Sequence, residues 1–338
     1  MAYTLRLDIY YFQLKRITGT IERKRPTGIS IGYRTEKDPV EFRDFVKSLS
    51  LKKEEDADYM KVLVQNFVNE FNASFAVNDE RTKALSLNSD YKTNSSKYTA
   101  WGTFKGGETG ISRDIYDNDN SMNAMSQIKE NNVAALQFFY KIWIPRDSNV
   151  GVLMLQSYTT LGCTSLFKQK FEEYIIRQNY KIHWSKCIPE NYIKEYFKRG
   201  YINKIQIVHH KKASDTLSQP TFMPVCQAKK ETYLTKLRIL LAELLLKHNY
   251  AELLKSDISS IDLNFNKEKD VVTLFYELDG KRAHSTLSDI ENMLPIIKLD
   301  EELKDPTTQL PKWDELHIYT DGILEQIKKQ IHYTPKEL

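Results

Sequence analysis

Cysteine is scarce in this chain: Cys163, Cys187 and Cys226 are the three among 338 residues. So few, so unevenly spaced and odd in number, they argue against the disulfide framework that staples small secreted domains. A reducing, cytoplasmic compartment is the expectation. Long apolar runs are missing too. The most apolar helical segment, LRILLAELLL at 237–246, contains Arg238 and Glu243 and falls short of the roughly 20 residues of a membrane span. The opening segment MAYTLRLDIYYFQLKR carries Arg6 and Asp8 inside its apolar run, so it lacks the uninterrupted core of a signal peptide. A soluble protein with no membrane partner follows. Charge of one sign is also lacking. Forty-nine basic residues against 45 acidic leave a net +4, milder than the basic face of a dedicated DNA-binding domain. Glycine and proline are thin at 12 and 10; with abundant Lys, Asn, Ile and Tyr they suggest an AT-rich coding genome of bacterial or mobile-element type.

Several chemistries are absent as motifs. GTFKGGETG bears glycines but has no Gly-Lys-Ser/Thr ending and no following helix, so Gly106 and Gly107 read as hairpin turn residues and not as a phosphate loop. No Gly-x-Ser-x-Gly elbow and no Cys-Gly-rich nucleophile context is present. No confident catalytic centre emerges, and no internal repeat.

What is there is a succession of strands. Leu5, Leu7 and Ile9 alternate with polar partners, the period-two signature of a half-buried strand. A basic loop, ERKRPTG, follows. DPVEFRDFVKSLS then offers Asp38 as N-cap and Pro39 at the first helical position, with Phe42, Phe45, Val46 and Leu49 as an apolar stripe. YMKVLVQNFVNEFNASF continues as helix. Candidate strands at 98–104, 109–116, 135–145 and 150–159 come without long helices between them, which favours antiparallel pairing. Phe138, Tyr140, Ile142 and Ile144 share one face of the third and Phe139, Lys141 and Trp143 the other, so that strand is central. CTSLFKQKFEEYIIRQN reads as a helix with Leu166, Phe167, Phe171, Tyr174 and Ile175 facing the sheet. A strand YKIHWS, a helix ending at Gly200 and a strand YINKIQIVHH complete a first unit, 1–212. A polar linker spans 213–230, and 231–338 forms a smaller C-terminal unit of helix, hairpin and helix, the hairpin turning at Asp279-Gly280. The expected class is α+β, an antiparallel aromatic-rich sheet with flanking helices.

Four residue sets are candidates for function. Asp270, Asp279 and Lys281 form an Asp with a following Asp-x-Lys, which could hold Mg²⁺ in a nuclease, although the hairpin turn would put Asp279 and Lys281 at an exposed tip. Arg177 and His183, six apart, resemble the Arg-x(4–6)-His motif of HEPN ribonucleases; the resemblance covers two residues and implies that both leave one helix terminus to polarise a phosphate and its attacking hydroxyl. His183, Cys187, His209, His210 and Cys226 offer zinc-type donors in a spacing that fits no compact template, so no metal is assigned. The fourth set is basic residues interleaved with aromatics. Lys15, Arg16, Arg23, Lys24 and Arg25 cluster around the first loop. Lys194, Lys198, Arg199, Tyr201, Lys204, His209, His210, Lys211 and Lys212 cluster later. Such cations give salt-sensitive, sequence-independent attraction to phosphates, and aromatics can stack on bases; the bland alternative is a set of solvated faces. The sequence thus favours a DNA- or RNA-interacting sensor or scaffold subunit of a bacterial multi-protein system such as antiviral defence, with Arg23, Lys24, Arg25, Lys198, Arg199, Lys204, Lys211 and Lys212 as contacts. The alternatives are a Mg²⁺-dependent nuclease and a protein-interaction subunit using the helix from Leu237 to Leu246 as a partner or self-association face. No cofactor is expected outside the nuclease reading.

Overall fold

The alternation that begins at Leu5 carries far beyond Ile9. The computed structural model describes residues 3–25, 28–49, 58–117, 119, 122–159, 161–189, 191–192, 201–209, 270–278, 281–286 and 297–335. Its first strand, β1, runs Leu5–Arg25 and is continued by β2, Gly28–Thr35. The segment expected as a basic loop is therefore strand up to Arg25. Ile17, Thr18, Thr20, Ile21, Ile29 and Ile31 supply the β-branched content that keeps both arms extended.

The first half of β1 is built into a sheet. Leu5 to Phe12 pair antiparallel with β10, Gly151–Tyr158, and Tyr10 to Arg16 pair along the opposite edge with β11, Tyr180–Lys186. Beyond β10 come β9 (Ala134–Trp143), β6 (Thr99–Glu108), β4 (Lys83–Leu87) and β3 (Ala76–Val77), each pair antiparallel, in the order β11-β1-β10-β9-β6-β4-β3. Two short strands complete it: β5 (Lys92–Asn94) on β6 and β15 (Ile297–Lys298) on β1. The class is α+β, and β9 is central as its two apolar faces required.

Gly106 and Gly107 are not turn residues. They lie inside β6, opposite Leu136 and Ala135 of β9, where Gly107 meets backbone and Gly106 meets packed side chains too closely for a side chain of its own. A Cβ on Gly107 would sit 1.9 Å from the Ala134 carbonyl oxygen, and one on Gly106 would sit 2.7 Å from Cys163 Sγ. The chain instead turns aside after Glu108 into an excursion in which β7 (Arg113–Ile115) pairs with β8 (Ser126–Ile128).

Helices cover both faces of the sheet. Helix α1 spans Phe42–Ser48, starting later than Asp38-Pro39 would set it, because Glu36 N–H and Val40 N–H are tied to the Arg16 and Leu14 carbonyls along β1. With α2 (Tyr59–Phe71) and α3 (Thr164–Arg177) it packs on the face formed by Phe12, Phe104, Phe138 and Tyr140. Phe12 contacts Phe42 and Phe171; Phe67 contacts Phe167 and Phe171; Phe104 and Tyr140 meet Phe167. The five α3 residues expected to face the sheet are the buried ones. Helix α4, Trp313–Gln330, takes the opposite face, burying Leu316, Thr320, Ile323, Leu324 and Ile327 on one stripe. Among the described residues no helix is long and apolar enough to cross a membrane.

The chain divides into two compact units, Met1–Cys187 with Ile296–Lys328 and His332–Leu338, and Ile188–Pro295 with Lys329–Ile331. The second contains a three-stranded antiparallel sheet in which β12 (Tyr201–His209) pairs with β13 (Asp270–Leu278), and β13 with β14 (Lys281–Thr286). So β12, which its position in sequence groups with the elements before it, joins the later hairpin, and α4 belongs largely to the first unit. The linker expected at 213–230 and the helix expected at 237–246 lie outside the described residues.

Candidate functional site

After Arg16 the partner of β1 changes. From Gly19 to Arg25 it pairs with β2 alone among the described strands. At about 3.4 Å per residue this two-stranded ribbon reaches about 20 Å past the sheet. Residues 15–37 hold seven basic residues, Lys15, Arg16, Arg23, Lys24, Arg25, Arg34 and Lys37, against Glu22 and Glu36. That excess of five exceeds the net +4 of the entire chain and is matched by residues 194–212, where Lys194, Lys198, Arg199, Lys204, Lys211 and Lys212 stand against Glu195, so the balanced totals conceal two basic segments.

Register sorts these charges. Positions 19, 21, 23 and 25 stand opposite 34, 32, 30 and 28, and directly opposed residues share a face of a ribbon. One face therefore carries Arg23, Arg25 and Arg34 with Ile21 among Gly19, Gly28, Ser30 and Gly32. The other carries Thr20, Glu22, Lys24, Ile29, Ile31 and Tyr33. Successive positions on one face are about 6.8 Å apart, roughly twice the 3.4 Å axial spacing of phosphates along one DNA strand.

At the base of the ribbon the positive charge continues. Lys15 stands opposite Lys181 and Gln13 opposite His183. Lys15 Nζ donates to the Lys37 carbonyl at 2.5 Å, and the Arg16 guanidinium lies 6.0 Å from the Tyr180 ring centroid. His183 is held below its ordinary pKa by burial first, then by Lys15 and Lys181. A histidine surrounded by lysines without an acid among its influences marks a positive potential at this edge. Lys168 caps Tyr10 and Trp184, 3.8 and 4.9 Å from their ring centroids.

The chemically richest cluster lies elsewhere, between β9 and α4. Lys141, 1 % exposed, donates from Nζ to Asp321 Oδ1 at 2.6 Å, Thr320 Oγ1 at 2.9 Å and the His317 carbonyl at 3.0 Å. All three ammonium protons are used. Burial lowers its pKa to about 8, against the pull of Asp321. The His317 ring stacks on Trp101 at 3.9 Å and 6°; burial and then Lys141 hold it below its ordinary pKa. A lysine with a lowered pKa can serve as base or nucleophile, but this one is sealed under α4 with its donors saturated. The cluster fastens the helix to the sheet. Among the described residues a shallow depression of about 210 Å³ lies beside Asp79, Glu80, Lys83 and Ser165, smaller than ordinary small-molecule sites of roughly 300–1,000 Å³.

Arg23, Lys24 and Arg25 end β1, and Lys204 lies on β12. Lys198, Arg199, Lys211, Lys212 and Asp279 lie outside the described residues. Asp270 opens β13 opposite His209, whereas Lys281 opens β14 opposite Leu278. These two stand at opposite ends of one strand, eight residues or about 27 Å apart, so the structure does not bring them together. Arg177 ends α3 and forms an ion pair with Glu70 of α2, while His183 lies on β11 beyond the turn at Asn179, whose φ is +67°. They do not share a helix terminus, as the ribonuclease resemblance would need. Cys187 is buried, its thiol pKa raised to about 12 by that burial, with the Tyr11 hydroxyl as its hydrogen-bond partner. Arg34 and Lys37 escaped the sequence reading; a turn-like Pro26-Thr27 between two β-branched runs was the signal that the basic cluster folds back on itself. No family model, curated protein or solved structure matches this chain.

Proposed function

We propose that the protein binds nucleic acid through the β1–β2 ribbon, laying the face that carries Arg23, Arg25 and Arg34 along a phosphate backbone. The observation that carries this reading is the register that aligns Arg23, Arg25 and Arg34 on one face of a two-stranded ribbon leaving the sheet. Such a ribbon fits the roughly 12 Å wide major groove of B-DNA, whereas the deep, narrow major groove of A-form RNA does not admit it. Duplex DNA is therefore the preferred ligand. Gly28, Ser30 and Gly32 stand opposite Arg25, Arg23 and Ile21 and let a sugar–phosphate strand approach the ribbon backbone closely; arginines laid along the phosphates give binding that is largely independent of sequence. The protein acts in this reading as a sensor or scaffold subunit of a bacterial multi-protein system, with antiviral defence as the setting that its composition and lack of housekeeping motifs suggest.

Binding of labelled 25-base-pair DNA and RNA duplexes at 50 and 200 mM salt tests this. The expected result is a DNA affinity that falls steeply with salt and exceeds that for RNA; replacing Arg23, Arg25 and Arg34 by Ala should reduce the log–log salt slope by about 3. Equal affinity for both duplexes would remove the groove-fitting argument, and no binding to either would remove the function.

A further inference from the structure

The excursion between β6 and β9 is the charge opposite of the ribbon. Residues 108–130 hold Glu108, Asp114, Asp117, Asp119 and Glu130 against Arg113 and Lys129, and Arg113 is already spent on Glu108, both its terminal nitrogens lying 3.0 Å from one carboxylate oxygen. The same stretch exposes five large apolar side chains, Ile111, Ile115, Tyr116, Met122 and Met125, the last two by 91 % and 69 %. A lone two-stranded hairpin is marginally stable in water, and an exposed apolar cluster of this density marks an interaction surface. On the ribbon, Arg34 is exposed, as is Ile31 by 60 %. Ile31 stands on the opposite face of the ribbon from Arg34, so what matches the two elements is complementary charge, and the apolar cluster belongs to the excursion.

Within one chain the two cannot meet. The excursion leaves the sheet at Glu108 and returns at Ala134, a directly paired couple. That end of the sheet is where β1 begins, since Leu5 pairs with Tyr158 and the Tyr158 hydroxyl donates to the Gln137 carbonyl. The ribbon leaves from the other end, past Phe12 opposite Gly151. The twelve residues from Leu5 to Arg16 separate the two exits by about 37 Å.

We infer that a second copy of this chain is the occupant of the acidic excursion: its basic ribbon docks there, head to tail. Complementary patches at opposite ends of a molecule make a heterologous contact, which propagates into open chains or closes into rings instead of stopping at a symmetric dimer. Because the ribbon is the same one assigned to nucleic acid, duplex and second copy exclude one another, and duplex disperses the assembly. The self-association stands without the nucleic-acid reading, since it is measured with no nucleic acid present.

Sedimentation of nuclease-treated full-length protein at 50 and 500 mM salt reads the assembly directly. Species larger than dimers are expected at low salt and monomer at high salt. Two charge-reversed variants, D114K/D117K/D119K and R23E/R25E, should each be monomeric at low salt, and mixing them should restore the large species, because each basic element then finds an acidic one. The exposed-surface variant M122S/M125S, which leaves the core untouched, should lower the association constant at least tenfold. A wild-type chain that stays monomeric at low salt, a symmetric dimer insensitive to salt, or association that survives either reversal would each overturn the inference.

Discussion

A lysine in the middle of a central strand is the residue on which this fold turns. Lys141 is flanked by apolar positions, and a buried ammonium persists only when its protons are satisfied. Its partner, Asp321, lies 180 residues away, and nothing near Lys141 in the sequence points to it. Replacing a buried pair by apolar groups is often neutral, whereas removing one partner strands the other. Asp321 keeps 30 % exposure and can be hydrated when left alone, whereas Lys141 at 1 % cannot, so Lys141→Met should leave urea stability within about 1 kcal/mol of wild type, and Asp321→Ala should cost on the order of 3 kcal/mol at pH 7. The pH dependence has a definite sign. The folded-state pKa of Lys141, about 8, lies below the unfolded value of 10.5, so between these limits the unfolded chain binds more protons and stability from this group rises with pH. The buried thiols of Cys163 and Cys187 act oppositely, their pKa values being raised to about 11 and 12, from near pH 9 upward. Between pH 7.5 and 8.5, then, wild-type stability should gain on that of Lys141→Met; equal slopes would show that Lys141 is not desolvated. Gly107 makes a second residue-scale case. A methyl group there meets backbone, which cannot step aside as a side-chain end could, so Gly107→Ala should cost about 2–3 kcal/mol in the same urea experiment.

Among elements, those whose signal is local were legible. Helix α3 matched its apolar stripe residue for residue, and β9 and β10 fell where alternating aromatics and the proline-ended turn put them. Elements defined by their neighbours were not. β6 looked like two strands about a glycine turn, because nothing local distinguishes a glycine that bends the chain from one that lets Ala134 pass close by. The β1–β2 ribbon looked like a loop, because charge at Arg23, Lys24 and Arg25 masked the β-branched residues on either side. Its basic residues were visible; the alignment of Arg23 and Arg25 on one face with Arg34 depends on register, which the bulge between Ile17 and Gly19 resets.

For the molecule as a whole, the sequence yielded the α+β class and the antiparallel sheet, but chain order misled about company. β12 pairs with β13 across a long intervening segment, and α4, at the far end of the chain, closes the first sheet. Hydrophobic pattern shows that a face is buried without naming what buries it. The charge balance behaved likewise: a net +4 conceals a basic element and an acidic one at opposite ends of the same sheet. That polarity underlies both proposals, and the nucleic-acid reading is the more basic of the two. The measurement that tests it most directly compares wild type with R23A/K24A/R25A for binding to duplex DNA at 50 mM salt, with thermal unfolding run alongside. A loss of tenfold or more at an unchanged melting temperature is the expected result. Undiminished binding by the triple variant would contradict the assignment of the ribbon as the nucleic-acid interface.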